Sequence, residues 1–181
     1  MRVRDSRPDD VNRIALIYNY YVRETTSSFE TEPPTLEELH ARRETALSAG
    51  LPYLVAEGSG RVMAFAYAVP YRPRRAYRFT AEHSVYVAPD CQRRGLGRAL
   101  MIELIKRCTD AGWRQMLAVI GDRENEASIK LHTALGFEQV GVLSAVGWKM
   151  DRWLDVVLMQ RSLGVGSYRP PSRERAPVPT A

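Results

Sequence analysis

The sequence predicts a mixed α/β (α+β) fold in which a mostly antiparallel central sheet is flanked by helices. Helical and strand patterns alternate along the chain, and several strand patterns follow one another directly, as in antiparallel sheets. The chain has 181 residues, of which 45% are hydrophobic and 26% charged, a balance typical of a globular domain. We predict one domain over residues 1–163 and a disordered, proline-rich tail over residues 164–181.

The first predicted elements are a short strand and an amphipathic helix. The strand lies near residues 2–4. Apolar side chains then recur at helical spacing, which predicts a helix over residues 7–24. Ser6 and Asp9, on either side of Pro8, are expected to form a capping box at the start of this helix.

A second helix and a hairpin follow the first helix. Thr35 and Glu38 form another capping box, which opens a helix running to about residue 48. Two apolar, β-rich runs at residues 53–57 and 62–69 are joined by the glycine-containing segment 58–61. This pattern is typical of a β-hairpin, so two antiparallel strands are expected there.

In the second half of the domain, the sequence predicts four more strands and two more helices. Asn125 stands where an N-cap is expected, and Gly136 stands where a helix ends in a left-handed residue. The last two strands are expected to flank a loop that contains Gly147 and Trp148. In chain order the predictions are strand 79–88, helix 97–111, strand 115–120, helix 125–135, strand 137–143 and strand 153–161.

Composition and charge narrow the class of protein. No segment approaches the about 18 apolar residues of a membrane span, and the charged N-terminus is unlike a signal peptide, so we expect a cytoplasmic protein with no membrane partner. Two cysteines do not make a disulfide framework, and the three histidines lack metal-ligand spacing, so we expect no metal. The net charge of +5 is by itself equally compatible with an anionic ligand, nucleic acid or an anionic membrane surface.

The most informative pattern is a strand that runs into a glycine-rich turn at residues 84–98. The turn opens a helix, so backbone N–H groups and the positive end of the helix dipole converge where an anion can bind. The alternative interpretation is an ordinary left-handed turn with solvated arginines. The residues of the turn that suit an anion are Arg93, Arg94, Gly95, Gly97 and Arg98.

Several stretches resemble the GNAT superfamily of acyl-CoA N-acyltransferases. The sequence Gln-Arg-Arg-Gly-Leu-Gly at residues 92–97 looks like the pyrophosphate-binding motif of that superfamily, and residues 125–137 look like its second motif. The similarity is closer still to the phosphinothricin and methionine sulfone N-acetyltransferase branch. It covers residues 1 to about 163. The stretches that look like this branch are 26–33, 76–82, 83–87, 146–149 and 152–155.

The resemblance implies that acetyl-CoA is the co-substrate. The pyrophosphate would bind at the glycine-rich turn, and the pantetheine arm would lie along strand residues 85–87. There the backbone N–H of Val87 would hold the oxyanion that develops on the thioester carbonyl. The residues implied for acetyl-CoA are Val85, Tyr86, Val87, Gln92, Arg93, Arg94, Gly95, Leu96, Gly97, Arg98, Asn125 and His132.

Acetyl transfer to an amine needs groups that move protons. Glu82 matches the general base of the family, and its alternative role is a strand-edge charge paired with an arginine. His132 lies two helical turns after Asn125 and is a second acid/base candidate, with helix packing as its alternative role. Many superfamily members have a tyrosine near that position, so the identity of the acid stays open, with Tyr86 as a further candidate.

Arginines and tyrosines that precede Glu82 are implied to form the acceptor site. Arg74 and Tyr77, with Arg72, would bind the carboxylate of an amino acid, and Phe29 would form an apolar wall. The implied reaction is direct acetylation, in a ternary complex, of the α-amine of phosphinothricin, methionine sulfoximine or methionine sulfone. The alternatives are another amine, such as a polyamine, an aminoglycoside or a protein N-terminus, and a basic nucleic-acid-binding module that uses the same arginines and tyrosines.

The distribution of charge favours small anions over nucleic acid. The segment from residue 71 to residue 98 has seven arginines and two acidic residues, so its net charge equals that of the whole chain. The excess charge is therefore interpreted as two local sites, one for the phosphates of CoA and one for a carboxylate.

A homodimer is also expected. Trp148 and Trp153 are most simply packing residues, but an exposed apolar hairpin at this place could form a dimer interface. The hairpin would then lend Lys149 or Trp148 to the acceptor site of the neighbouring subunit.

Overall fold

The computed structural model describes residues 1–171, which form a single seven-stranded sheet with helices packed against it. Its elements, in chain order, are β1 (Arg2–Asp5), α1 (Val11–Glu24), α2 (Leu36–Ser48), β2 (Tyr53–Gly58), β3 (Arg61–Pro70), β4 (Thr80–Val87), α3 (Leu96–Asp110), β5 (Gln115–Gly121), α4 (Glu126–Ala134), β6 (Glu138–Lys149) and β7 (Arg152–Ser162).

The strand order confirms the predicted fold class. Strands lie in the order β1-β2-β3-β4-β5-β7-β6. Every neighbouring pair is antiparallel except β4 and β5, which are parallel and are connected through α3. The one parallel pair is therefore the place where the sheet departs from a continuous set of antiparallel ladders.

The start of the first helix differs from the prediction. Pro8–Asp10 form a 3-10 turn, and α1 begins only at Val11. The capping carboxylate belongs to Asp10 rather than Asp9, because Asp10 Oδ2 accepts the Arg7 backbone N–H at 2.6 Å. Ser6 is no cap; its hydroxyl accepts from Arg43 Nε at 2.9 Å. The tight turn after Pro8 shifts the box by one residue along the chain.

The second capping box and the hairpin are confirmed. The Glu38 N–H donates to Thr35 Oγ1 at 3.2 Å, and the Thr35 N–H donates to Glu38 Oε2 at 2.7 Å. The β2–β3 hairpin closes with Gly58 opposite Arg61, and Gly60 in its turn has a φ of +74°, a conformation that suits glycine.

Helices cover both faces of β4. Tyr86 packs against Tyr18 and Tyr21 of α1, with ring centroids 5.0 Å apart in both pairs. Val85 and Val87, on the opposite face, lie beside Gly97 of α3. Because side chains alternate along a strand, each residue of β4 faces either α1 or the α3 and α4 side, which decides what each candidate site residue can reach.

The predicted loop at Gly147 and Trp148 is wrong, because both residues belong to β6. Gly147 pairs with Leu154 and Trp148 with Trp153 across the β6–β7 ladder, and the chain reverses only at residues 150–151. Gly147 is a packing glycine rather than a turn glycine. A Cβ on it would overlap the Phe29 ring, so the missing side chain makes room for a neighbouring segment.

The segment after β7 forms turns over residues 164–167 and continues without helix or strand to residue 171. Arg114 donates to the carbonyl oxygens of Gly166 and Pro170, both at 3.3 Å. The remainder of the tail predicted for 164–181 lies outside the described residues. Within residues 1–171, no helix is both long enough and apolar enough to cross a membrane.

Candidate functional site

The candidate site is a cleft that opens where β4 and β5 separate. The two strands pair only from Thr80 with Gln115 to His83 with Ala118, although both continue for several residues. Beyond that point β4 pairs with β3 and β5 pairs with β7. The resulting cleft has a volume of about 530 Å³ and is lined by residues of α1, β4, β5, α4 and the turn before α3.

Unpaired backbone groups of β4 face this cleft. The Ala88 N–H donates to Met63 O at 2.8 Å, towards β3. Since successive N–H groups of a strand point to opposite edges, the Val87 N–H points away from β3 and into the cleft. The Val87 carbonyl oxygen accepts the Tyr21 hydroxyl at 2.7 Å. The geometry therefore suits the predicted role of Val87 as an N–H donor to a ligand.

The glycine-rich turn forms one end of the cleft. Gly95 precedes α3 with a φ of +77°, and Arg93 also has a left-handed φ of +57°. These two residues form the turn that leads into α3, whose first backbone N–H groups are available to an anion. Gly97 packs closely, since a Cβ there would lie 3.5 Å from Leu131 and 3.6 Å from Val87. The N-terminus of α3 thereby sits directly against β4 and α4.

The structure brings most, but not all, of the predicted turn residues to the cleft. The predicted residues that line it are Gln92, Arg93 and Gly95 in the turn and Arg98 in the first turn of α3. The Gln92 amide also donates to the Tyr21 hydroxyl at 3.2 Å. Arg94 donates to Asp90 O at 3.0 Å, and the side chain of Leu96 is buried in the core, so neither side chain lines the cleft.

Asn125 and His132 join the cleft from α4. Asn125 Oδ1 accepts the Ser128 N–H at 3.2 Å, which confirms the predicted N-cap, and its amide donates to Ser27 Oγ at 3.2 Å. His132 is buried, and its Nε2 lies 3.2 Å from Nε2 of His83. Burial lowers the pKa of His132, so its imidazole tends to stay neutral.

His83 is a site residue that the sequence analysis missed. It lies at the last paired position of β4 before the strands part, and it lines the cleft together with Val85 and Val87. Alternation along the strand places these three side chains on one face and could have identified it. Four residues at the end of α1 and after it were also missed, although Ser27 lies in a stretch that resembles the family: Tyr20, Tyr21, Thr25 and Ser27.

Glu82 lies on the other face of β4, on the same side as Tyr86. Its half-buried side chain has a raised pKa because burial disfavours the carboxylate, and the charge of Arg72 acts in the opposite direction. Tyr86 lies among Tyr18, Tyr21 and Phe65, and burial holds its pKa well above the usual range. A raised carboxyl pKa suits Glu82 as a proton acceptor near neutral pH, whereas a raised phenol pKa makes Tyr86 a weaker proton donor than an ordinary tyrosine.

The predicted acceptor residues lie in two places outside the lining of the cleft. Phe29 packs between Gly121 at the end of β5 and Gly147 of β6. Arg74 and Tyr77 lie in the exposed segment before β4, as does Arg72, whose guanidinium lies 5.1 Å from the Tyr71 ring centroid. Of these residues, Arg72 is the one whose charge acts on the pKa of Glu82.

Lys149 points into its own chain. Its side chain is buried, and Nζ donates to Ser28 O of the same chain at 2.6 Å. This hydrogen bond ties the ammonium to the segment between α1 and α2 of the same chain. Trp148 remains 55% exposed and packs edge-on against Trp153.

The fold and the cleft together define a class of protein. The sequence profile described as "Acetyltransferase (GNAT) family" matches residues 14–137, which span α1 to α4 and the whole candidate site. The chain belongs to the GNAT family of acetyltransferases.

Individual relatives narrow this class. The chain is 54% identical over 164 residues to a phosphinothricin N-acetyltransferase of Alcaligenes faecalis, covering 91% of this chain and 83% of the relative. It is 40% identical to a methionine sulfoximine/methionine sulfone acetyltransferase of Pseudomonas aeruginosa, covering 89% and 94%. The crystal structure of a Sinorhizobium meliloti phosphinothricin acetyltransferase in complex with AcCoA superposes with a TM-score of 0.94, at 42% identity, covering 98% and 96%.

Proposed function

We propose that this chain transfers the acetyl group of acetyl-CoA to the α-amine of phosphinothricin, methionine sulfoximine or methionine sulfone. The observation that carries the proposal is the cleft between the separated ends of β4 and β5, with the glycine-rich start of α3 at its end. The names of the relatives support this choice of acceptor, because they act on these amino-acid analogues.

Acetyl-CoA would bind along the open edge of β4. The start of α3 offers N–H groups and a positive dipole to the pyrophosphate, and Arg93 and Arg98 add charge. The unpaired backbone of β4 offers hydrogen-bonding groups to the amides of the pantetheine arm. The Val87 N–H would then polarise the thioester carbonyl, a contribution typically worth about 3 kcal/mol to the transition state. A protein that uses acetyl-CoA is expected to work in the cytoplasm, and the proposed reaction needs no metal.

The two proton-handling groups would approach the reacting atoms from opposite faces of β4. Glu82 would accept a proton from the acceptor amine, directly or through a water molecule, and its raised pKa makes it a stronger base than an ordinary carboxylate. His132 would be the acid/base group for the departing thiolate. It lies on the α4 side, close to the point where the strands separate.

The acceptor would bind beyond the end of β5 and beside Glu82. Phe29 would form an apolar wall, and Arg72 and Arg74 would attract the carboxylate, with Tyr77 as a further contact. Because Arg74 and Tyr77 lie in an exposed segment, their contact with an acceptor would require that segment to fold over the site.

A homodimer is part of the proposal. Exposed apolar side chains are concentrated on β6, the following turn and β7, where a second copy of the chain would cover them. They are Val140, Leu143, Val146, Trp148, Met150 and Trp153.

The test is the release of CoA thiol with a panel of acceptors, with the acetylated products identified by mass spectrometry. We expect kcat/KM for phosphinothricin or the methionine analogues to exceed that for polyamines, aminoglycosides and N-terminal peptides by at least roughly a hundredfold, about 2.7 kcal/mol. Equal activity on an unrelated amine would contradict the choice of acceptor. Salt-sensitive binding to generic nucleic acid, with no stabilisation by acetyl-CoA, would contradict the whole proposal.

A further inference from the structure

Tyr21 of α1 is half-buried, and its hydroxyl lies against the open edge of β4. The hydroxyl donates to the Val87 carbonyl oxygen at 2.7 Å. The Tyr21 ring packs against the Tyr86 ring, with centroids 5.0 Å apart, and edge-on against the Tyr20 ring at 5.4 Å. These contacts hold the ring, and the hydroxyl with it, beside the strand.

A second hydrogen bond joins this hydroxyl to the side-chain amide of Gln92, at 3.2 Å. A carbonyl oxygen only accepts, so the single hydrogen of the Tyr21 hydroxyl is used for Val87 O. The hydroxyl oxygen therefore accepts from the amide N–H of Gln92. This makes the hydroxyl a stronger donor, because hydrogen bonds in a chain polarise one another. Burial also raises the pKa of Tyr21, so the hydroxyl keeps its proton.

The carbonyl oxygen and the N–H of Val87 point to the same edge of β4. In a ladder, both backbone groups of one residue face the same neighbouring strand. The following N–H, that of Ala88, donates to Met63 O at 2.8 Å on the β3 side. Because β4 pairs with β5 only as far as His83, both Val87 groups lie on the open side of the strand. The peptide group between Val87 and Ala88 is thus held at both ends, by Tyr21 and by Met63.

The Val87 carbonyl oxygen is an unfavourable neighbour for an oxyanion. It has a partial negative charge, and it shares the open edge with the N–H that would bind the thioester carbonyl of acetyl-CoA. The Tyr21 hydroxyl places a partially positive hydrogen against this oxygen and so offsets the repulsion. It also restrains the backbone of Val87, which limits the directions in which the N–H can point.

We propose that Tyr21 is a positioning residue for the oxyanion site, which it orients and makes less negative through the Val87 carbonyl group. The inference rests on the proposed function, in which the Val87 N–H polarises the thioester carbonyl. Negative charge on the thioester oxygen grows during the reaction, so Tyr21 stabilises the transition state more than it stabilises bound acetyl-CoA. Its loss should therefore lower kcat and leave the affinity for acetyl-CoA nearly unchanged.

Tyr21→Phe removes the hydroxyl and keeps the ring. We expect kcat to fall roughly tenfold, less than the loss of about a hundredfold for deleting an oxyanion donor, with the dissociation constant of acetyl-CoA within about twofold of wild type. Tyr53→Phe is the matched control, because it removes a buried hydroxyl from β2, two strands away from β4. A loss of equal size in Tyr53→Phe would overturn the inference.

Polarisation of the thioester can be measured without an acceptor. The probe is acetyl-CoA labelled with ¹³C at the thioester carbonyl, observed by difference infrared spectroscopy. In wild type and in Tyr53→Phe, we expect the carbonyl stretch of bound acetyl-CoA to lie at lower frequency than that of the free molecule. Tyr21→Phe should lose roughly a third or more of this shift.

The outcomes separate this inference from the proposed function. An unchanged carbonyl stretch in Tyr21→Phe would overturn the inference, as would an unchanged kcat. A wild type that binds acetyl-CoA with the stretch of the free molecule would overturn both. A wild type that shows the Tyr21-dependent shift but acetylates none of the proposed acceptors would refute the choice of acceptor and support the role of Tyr21.

Discussion

Glu82 and His83 are consecutive residues whose side chains reach opposite faces of β4. Burial raises the pKa of Glu82 and lowers that of both histidines on the other face, so one environment strengthens a carboxylate base while the other keeps two imidazoles neutral. The opposite shifts follow from one cause, since burial always disfavours the charged form. A single strand thus separates the carboxyl group of Glu82 from the two imidazoles on its other side.

Replacement of Glu82 by glutamine tests its role as the base. In wild type, kcat/KM should rise with pH as the carboxyl loses its proton, and the raised pKa places this rise above the ordinary carboxylate range. We expect Glu82→Gln to lose roughly a hundredfold in kcat/KM at neutral pH and to lack this ionisation. Initial rates of thiol release measure both effects. Glu103→Gln, on the outer surface of α3, is the matched control, and full activity in Glu82→Gln would remove Glu82 from the mechanism.

At the level of elements, the start of α3 and the edge of β4 form one ligand-binding unit. The turn before α3 contains two left-handed residues, and Gly97 allows the helix to approach β4 and α4 closely. Two arginines of this unit are oriented differently: Arg98, in the first turn of α3, lines the cleft, whereas Arg94, in the turn before α3, bonds to the backbone of Asp90.

The two arginines provide a matched pair of substitutions. Arg98→Ala should weaken acetyl-CoA binding by about tenfold, because a charge that lines the proposed acetyl-CoA cleft is lost, and Arg94→Ala should change it by less than about twofold. Isothermal titration calorimetry gives both dissociation constants. Equal losses in the two variants would show that the positions of the arginines in the turn do not govern acetyl-CoA binding.

Another element-level feature is the packing of Phe29 between two strands. A Cβ on Gly121 would lie 2.9 Å from the Phe29 ring, and one on Gly147 would overlap it. The segment between α1 and α2 can reach β5 and β6 only because both positions lack a side chain. The glycines therefore set the position of the wall proposed for the acceptor site.

Gly147→Ala should displace Phe29 and raise KM for the acceptor several-fold, with little change in acetyl-CoA binding. The thermal midpoint should fall by a few degrees, which corresponds to about 1 kcal/mol in a domain of this size. Gly141→Ala is the control on the same strand, because nothing lies within 4 Å of its added Cβ. Steady-state kinetics with varied acceptor decide the outcome, and identical KM values for the two variants would contradict the placement of the acceptor beside Phe29.

At the scale of the whole molecule, the exposed tryptophans of β6 and β7 are expected to lie in the interface of the proposed dimer. Trp153 is 63% exposed, and a charge at that position would be buried against apolar side chains in the proposed dimer. We expect Trp153→Glu to be monomeric in sedimentation velocity at concentrations at which wild type is dimeric. Ile102→Glu, on the exposed side of α3, should leave the dimer intact. A monomeric wild type would refute the dimer.

Local patterns in the sequence identified most elements of the fold. The capping box at Thr35 and Glu38, the N-cap at Asn125 and the β2–β3 hairpin were all predictable, because each depends on side chains a few residues apart. The capping box at the start of α1 was misplaced by one residue, because a 3-10 turn and a helix share the same residue preferences there.

The sequence by itself determined the elements, the glycine-rich turn and the resemblance to the family, since these are properties of neighbouring residues. Only the tertiary structure decided which strands separate, that His83 pairs with His132 across 49 positions, and that Gly147 makes room for Phe29 instead of turning the chain. Contacts between residues far apart in the chain depend on packing, and packing leaves no local pattern in a single sequence.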